Sequence, residues 1–355
     1  MIDLFKDETH QKQFDQDGFV RVTMLQDDDI RNLLEFYQSL NNDHITEYGF
    51  HVSIDNNNPE FVENVIAKIG SIVLKKLDPL FLDNQVTTAS FVVKEPNPAS
   101  FVPPHQDWTF TDETKFASVT TWTPLQDVNA ENGALAILKG SHKLFPGFRA
   151  SPSPAFQTVF GKEGMHLFPY MEIIPMKAGE TLIFDNRLVH ASPPNYTDSP
   201  RIAAGLGLMH KEAELSHHYL NPGSNPPLVS KYKIDHGFFL RYNNSRLLEL
   251  FNKGEKPDLG EPIESISHAA ESLTTEELRS KISQLPDVKI HPEMEKIAET
   301  FSAMFSSYIE AKQIGDEIRT EDETVPEIPS NISQQAALDD RGRSAWQRFI
   351  SIFKG

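Results

Sequence analysis

The sequence contains no cysteine, which excludes disulfide bonds and any reaction or metal site that depends on a thiolate. If the chain binds a transition metal, histidine and carboxylate side chains are therefore the available ligands. Positive charge is also scarce: 33 Lys and Arg face 51 Asp and Glu, so the net charge is -18. A chain of this charge is not expected to bind nucleic acid or an anionic membrane surface.

Long apolar runs are missing as well. No uninterrupted hydrophobic stretch approaches the ~20 residues that cross a bilayer, and the opening MIDLFKDETHQKQF alternates charges where a signal peptide is apolar. We therefore expect a protein without a membrane span and with a cytoplasmic location. With 355 residues, of which 39% are hydrophobic, the chain is long enough for one large domain with additions.

The first 250 residues change in character along the chain. Helices are predicted in DDDIRNLLEFYQSL and PEFVENVIAKIGSIVLKKL, where apolar residues recur at helical spacing. Residues 86–210 instead consist of short β-rich runs separated by Pro, Gly and Asn, such as VTTASFVVK and RIAAGLGLMH. Many short strands punctuated by turns predict a mainly β fold with flanking helices, a barrel or jelly roll. We assign residues 1–250 to this domain.

The remaining residues are acidic and predict helices. LTTEELRSKI carries a capping box, since Thr274 is followed three residues later by Glu277. We expect a helical extension at 251–314, an acidic linker at 315–343 and a short amphipathic helix at 344–355. The terminal helix is expected to dock onto the chain itself, with contact to another protein or to a membrane surface as the alternatives.

The segment VPPHQDWTF places His105 and Asp107 two positions apart. In an extended segment the two side chains share one face and can hold one metal ion. Alone the triplet is a weak signal, because H-x-D arises by chance roughly once per thousand positions. His190 closes the apolar run ETLIFDNRLVHAS and is either a third ligand or a hydrogen-bonded structural residue. If no bulge intervenes, alternation along one strand would put five residues on the same face: Leu182, Phe184, Asn186, Leu188 and His190.

Arg201 stands eleven residues beyond His190, at the start of RIAAGLGLMH. It either pairs with a surface carboxylate or reaches inward to hold an anion, and its fork of donors matches a carboxylate. Two histidines and one carboxylate leave three metal positions open, which is the facial triad of non-haem Fe(II) oxygenases. A 2-oxo acid can fill two of these positions, and O₂ can fill the last.

Residues 91–210 resemble the phytanoyl-CoA dioxygenase family of Fe(II)/2-oxoglutarate oxygenases. The resemblance rests on KEPNPASFVPPHQDW, on VTTWTPLQDVNAENGALAILKGSHK, and on AGETLIFDNRLVHAS followed by Arg201. A weaker similarity reaches back to DGFVRV, so about residues 10–210 are covered. The resemblance implies a double-stranded β-helix with Fe(II) bound by His105, Asp107 and His190. It also implies 2-oxoglutarate held by Arg201, O₂ as the second co-substrate, and ascorbate as a supporting reductant.

The same resemblance implies roles for three further residues. Ser192 would bind the same carboxylate as Arg201, Trp122 would line the 2-oxoglutarate pocket, and Lys94 of the K-x-P element would add a contact. For Trp122, a buried barrel aromatic is the alternative. His142 in KGSHK is assigned to turn structure. His217 and His218 are excluded as a pair of ligands, because neighbours on a strand face opposite sides.

The implied reaction is hydroxylation of a C–H bond in an unidentified small-molecule, carrier-linked or CoA-linked substrate, with release of succinate and CO₂. Asp107 favours hydroxylation over halogenation, because the related halogenating enzymes lack this carboxylate. Two alternatives stay open: a noncatalytic β-barrel binding or scaffold module, and a non-oxidative cupin-like metalloenzyme using Zn or Mn. Loops at 145–173 and 210–239 are expected to form the substrate rim, with Arg149, Lys162 and Lys211 as exposed charge or anion contacts.

Overall fold

The computed structural model of the chain describes residues 1–40, 49–97, 99–153, 155–268 and 272–300, except the side chain of residue 162. The α-helices are α1 (Glu8–Asp17), α2 (Asp27–Ser39), α3 (Pro59–Leu77), α4 (Phe238–Arg241), α5 (Asn244–Asn252) and α6 (Thr275–Ile282). Residues 292–300 are also helical. Shorter 3-10 helices span Ser53–Asp55, Ser141–Lys143 and Gly161–Tyr170. Within these ranges no helix is long and apolar enough to cross a membrane.

The strands form three antiparallel sheets. Their bounds are β1 (Phe19–Thr23), β2 (Phe50–Val52), β3 (Asn84–Lys94), β4 (Val102–His105), β5 (Ser118–Pro124), β6 (Ala136–Ile137), β7 (Glu172–Ile173), β8 (Glu180–Asp185), β9 (His190–Ser192), β10 (Arg201–His210), β11 (Ser216–Leu220), β12 (Leu228–Lys233) and β13 (Glu264–Ser267). The major sheet has the order β1-β8-β5-β10-β3-β2, and the minor sheet has the order β4-β9-β6-β7. A third sheet has the order β11-β12-β13.

Side chains from the major and minor sheets meet in one buried cluster between them. Trp122 of β5, Leu182 of β8 and Ala203 of β10 contribute from the major sheet, and Ile137 of β6 contributes from the minor sheet. Residues of opposite parity on the same strands pack outward against α1, α2 and α3: Val119, Ile183, Ala204 and Leu206. The predicted mainly β fold, with a jelly-roll core and flanking helices, is confirmed.

The outer face of the minor sheet is covered by chain that lies far downstream. Leu278 and Ile282 of α6, together with Met294, pack in one cluster with Phe101 and Val189. The capping box at the start of α6 is confirmed, since the Thr274 amide donates to Glu277 Oε2 at 2.8 Å. The stretch predicted as a helical extension also contains β13, which pairs with β12. The predicted linker and terminal helix lie outside the described residues, and the domain boundaries stay predictions.

The predicted single strand through residues 182–190 is wrong. Strand β8 ends at Asp185, the chain turns, and His190 begins β9 in the other sheet. The Asp185 carboxylate accepts hydrogen bonds from the amide and the guanidinium of Arg187, which fixes this turn. The crossing from one sheet to the other brings His190 next to β4.

Candidate metal centre

The two histidines of the predicted triad come from neighbouring strands. His105 ends β4 and His190 begins β9, and the two residues are direct partners in the antiparallel register. Their imidazole centroids lie 4.1 Å apart. The register of β4 shifts between Val102 and His105, so a local irregularity precedes the first ligand.

Asp107 lies just beyond the end of β4 and completes the group. Its Oδ1 atom is 3.9 Å from Nε2 of His105 and 3.7 Å from Nε2 of His190. One ligand atom from each of the three residues lies within 4.8 Å of the others. Ligand atoms bound to one ion at about 2.1 Å lie roughly 3–4 Å apart, so the spacing suits a single transition metal.

Backbone carbonyls determine which ring nitrogen of each imidazole carries the proton. Nδ1 of His105 is 2.9 Å from Pro103 O, and Nδ1 of His190 is 3.0 Å from Leu188 O. A carbonyl only accepts hydrogen bonds, so Nδ1 carries the proton and Nε2 presents its lone pair to the metal position. Desolvation and the adjacent His190 lower the pKa of His105 to about 4, which keeps this ring neutral at pH 7.

Asp107 is held at both its side chain and its main chain. Thr120 of β5 donates to Oδ2 at 2.9 Å. The Arg149 guanidinium donates to the Asp107 carbonyl at 2.7 Å while it pairs with Glu113. Arg149 is 3% exposed, so the expectation of an exposed arginine is wrong.

Inside the barrel, two buried basic side chains lie side by side at the ends of adjacent strands. Arg201 begins β10 and is the register partner of Lys94, which ends β3. Arg201 is 1% exposed and Lys94 is fully buried. Burial lowers the pKa of Arg201 to about 9, so the guanidinium stays cationic at pH 7, and it lowers the pKa of Lys94 well below its usual range. Among the described residues, no carboxylate forms an ion pair with either cation.

Arg201, Lys94 and Trp122 line one pocket, called the cation pocket below. Its hydrogen-bond donors are only partly used. Arg201 Nη1 donates to Val92 O at 3.0 Å, but its Nε is buried without a hydrogen-bond partner in the described chain. The guanidinium lies 5.1 Å from the ring centroid of Trp122, whose Nε1 also lacks a described partner. Lys94 Nζ donates to the carbonyls of Ser192, at 3.1 Å, and Pro193. A buried guanidinium with an orphaned Nε–H, next to the orphaned Nε1–H of Trp122, fits an anionic ligand such as a carboxylate.

The other residues considered from the sequence lie elsewhere. His142 occupies a 3-10 turn, as expected, with Nε2 at 3.3 Å from Asp15 O. His217 and His218 lie on β11 of the third sheet, where His217 Nε2 is 2.7 Å from Ser151 Oγ. Lys211 pairs with Asp83 at the surface. The side chain of Lys162 lies outside the described part of the structure.

Sequence reasoning missed Thr120 and the role of Arg149. Thr120 could have been found, because it precedes Trp122 by two positions and therefore shares the inner face of β5. No local signal in the sequence links Arg149 to Asp107, which lies 42 positions earlier in the chain.

This chain is similar to known proteins over part of its length. The family model "Phytanoyl-CoA dioxygenase (PhyH)" matches residues 7–203. The zebrafish (Danio rerio) "Phytanoyl-CoA dioxygenase domain-containing protein 1" is 26% identical over 156 residues, covering 42% of this chain and 50% of that protein. The mouse (Mus musculus) protein of the same name is 26% identical over 129 residues, covering 35% and 44%. The matched part thus spans about half the length of each relative.

Among solved structures, the epimerase SnoN in complex with Fe3+, alpha ketoglutarate and nogalamycin RO is similar. The TM-score is 0.43 at 20% identity, covering 59% of this chain and 85% of SnoN.

Proposed function

The chain belongs to the phytanoyl-CoA dioxygenase family, and from that premise we propose that it is an Fe(II)- and 2-oxoglutarate-dependent dioxygenase. The proposed reaction hydroxylates a C–H bond of a small-molecule or acyl substrate and releases succinate and CO₂. One observation carries the proposal. A His-Asp-His donor group and the buried pair Arg201 and Lys94, for which the described residues provide no paired carboxylate, occur together in one barrel.

The proposed metal ligands are His105, Asp107 and His190. Two imidazoles and one carboxylate suit Fe(II) and leave positions open for other ligands. The backbone carbonyls that accept a hydrogen bond from each Nδ1–H fix the ring orientation, so both imidazoles are ordered before a metal binds. When bound, iron and 2-oxoglutarate would supply the oxidising chemistry that protein side chains lack.

The proposed site for 2-oxoglutarate is the cation pocket. Arg201 would hold the distal carboxylate through its unused donors, with Lys94 and Ser192 nearby and the Trp122 ring against the guanidinium. A buried guanidinium beside a buried lysine favours an anion over a neutral molecule, because desolvated charges interact more strongly than hydrated ones. The pocket also shields the bound co-substrate from water.

The direct test uses the full chain loaded anaerobically with Fe(II) and 2-oxoglutarate. Binding is followed by the absorbance of the iron–2-oxoglutarate complex, and O₂ with ascorbate is then admitted while succinate is measured. Candidate substrates are acyl-CoA, amino acids and carrier-tethered acyl groups. We expect succinate from the wild type and its loss in Asp107→Ala, whereas Asp198→Ala, which changes an exposed aspartate, should behave as wild type.

The same experiment separates the alternative functions. A scaffold module would bind neither metal nor 2-oxoglutarate, and its biological role would survive Asp107→Ala. A non-oxidative metalloenzyme would bind Zn or Mn but would form no succinate with any substrate. Either pattern would refute the proposed oxygenase.

A further inference from the structure

The orientation of the Asp107 carboxylate needs an explanation beyond strand geometry. Asp107 lies past the end of β4, so no regular ladder fixes its side chain. The terminal torsion of an aspartate is broad, and rotation by half a turn exchanges its two oxygens. A single ligand atom can be offered reproducibly to a metal only if the other oxygen is restrained.

Thr120 supplies that restraint from the opposite sheet. Its hydroxyl lies 2.9 Å from Asp107 Oδ2 and 3.0 Å from Asn186 Oδ1. A hydroxyl has one proton, and an ionised carboxylate is a stronger acceptor than an amide. The proton is therefore directed to Asp107, while Oδ1 is the oxygen that faces both imidazoles.

A buried network fixes Asn186, the residue beside the Thr120 hydroxyl. Asn186 Nδ2 donates to Ser118 Oγ at 2.8 Å, and the Asn186 amide donates to Ser118 O at 2.9 Å. The Asn186 carbonyl in turn accepts from the Asp107 amide at 2.9 Å. Ser118 and Thr120 share one face of β5, so the turn after β8 joins the major sheet to the ligand-bearing loop.

We propose that Thr120 is a positioning residue, whose hydroxyl binds Oδ2 of Asp107 and turns Oδ1 toward the metal position. The inference rests on the proposed metal site. Partners that orient a metal ligand typically contribute 10–100-fold to metal affinity.

The test is Mn(II) binding to the metal-free full chain, measured by the electron paramagnetic resonance signal of free Mn(II). Mn(II) suits the same donor set and is not oxidised during the titration. Thr120→Val should weaken Mn(II) binding by roughly 10–100-fold, because it deletes the donor but keeps the branched shape. Thr120→Ser restores the hydroxyl and should bind within about threefold of wild type.

Thr121→Val is the matched control. Thr121 is the next residue on β5, and its hydroxyl donates to Leu206 O at 3.3 Å on the opposite face. The Thr121→Val variant should be less stable than the wild type but should keep its Mn(II) affinity within about threefold. If circular dichroism shows that Thr120→Val is unfolded, Thr120→Ala takes its place with the same expected loss.

Two failures can be told apart. If wild type binds no Mn(II), Fe(II) or 2-oxoglutarate, the proposed function is wrong. If wild type binds Mn(II) and the folded Thr120→Val or Thr120→Ala variant binds within threefold of it, only the positioning role is overturned.

Discussion

The major and minor sheets build the two ends of the site in different ways. Strands β3 and β10, which carry Lys94 and Arg201, contain 11 and 10 residues and pair with each other along β10. Strands β4 and β9, which carry His105 and His190, contain 4 and 3 residues. The cation pocket is thus fixed by a long hydrogen-bonded ladder. Few ladder bonds hold the group of His105, Asp107 and His190, which is called the metal end below.

Packing from outside compensates for the short strands. Val189 and Ala191 flank His190 and lie in one buried cluster with Leu278 of α6 and with Met294. The 3-10 helix Gly161–Tyr170 also packs on this face through Leu167. Residues beyond the family match therefore form part of the scaffold of one proposed metal ligand. The metal end thus depends on tertiary packing, whereas the cation pocket depends on its sheet.

The largest expected effect on ligand binding separates the two ends by removing a charge. Arg201→Gln should weaken 2-oxoglutarate binding to the Mn(II)-loaded chain about 100-fold, or about 2.7 kcal/mol, because a buried charged donor is lost. Mn(II) affinity should stay within about threefold. Isothermal titration calorimetry measures both constants. Arg21→Gln, on β1 of the same sheet with an exposed side chain, is the control.

Unchanged 2-oxoglutarate affinity in Arg201→Gln would contradict the anion site. An equal loss of Mn(II) affinity would show that the two ends do not act independently.

The second effect tests the packing of the metal end. Leu278→Ala removes a fully buried side chain and should lower the free energy of unfolding by about 2–5 kcal/mol. Because the cavity opens behind β9, Mn(II) affinity should fall as well. Leu33→Ala, in α2 against the major sheet, removes an equally buried leucine. It should cost similar stability in urea unfolding and leave Mn(II) affinity unchanged, and equal Mn(II) affinities in the two variants would refute the dependence on α6.

The same contrast explains what the sequence could predict. His105, Asp107, His190 and Arg201 could be proposed from the sequence because each stands in a short motif, and the structure brings the first three of them together. The break between β8 and β9 was missed because the apolar alternation continues through Leu188, although the chain turns there. Whether a residue continues a strand or changes sheet depends on partners that are remote in sequence.

Non-local pairing also hides buried polar groups from sequence analysis. Arg149 looks like an exposed charge in the rim loop, yet it pairs with Glu113 and holds the main chain of Asp107. The Thr120 contact joins two segments that lie in different sheets. A sequence pattern shows which face a residue occupies, but not which residue stands opposite.

Loss of fold stability in acid is expected to arise outside the major and minor sheets. His217 is fully buried on β11, and burial lowers its pKa to about 3 from an ordinary value of 6.5. Below pH 6.5 the unfolded chain binds a proton that the folded chain cannot, so stability falls as the pH falls. At pH 5 the loss relative to pH 7 is about 2 kcal/mol for this residue.

His217→Gln should reduce the pH dependence of urea unfolding between pH 7 and 5 by about that amount, because glutamine does not titrate. His166→Gln, at an exposed histidine, should keep the wild-type dependence. Identical slopes in His217→Gln and wild type would place the acid sensitivity elsewhere, with the metal-site histidines as the next group to examine.

The smallest expected effect on ligand binding concerns Gly133, which lies against Lys94. Its φ is +77°, and an added Cβ would lie 2.8 Å from Lys94 Cδ and 2.8 Å from Pro193 O. Gly260 has a φ of +76° with no atom within 4 Å of such a Cβ, so Gly260→Ala measures the backbone strain alone, about 1–2 kcal/mol. Gly133→Ala should cost more than this in urea unfolding, because the lysine must also shift. Its 2-oxoglutarate affinity should fall roughly threefold to tenfold, or about 0.7–1.4 kcal/mol, whereas Gly260→Ala should bind as wild type. Equal behaviour of the two variants would mean that Lys94 moves without consequence, and that Arg201 alone defines the cation end.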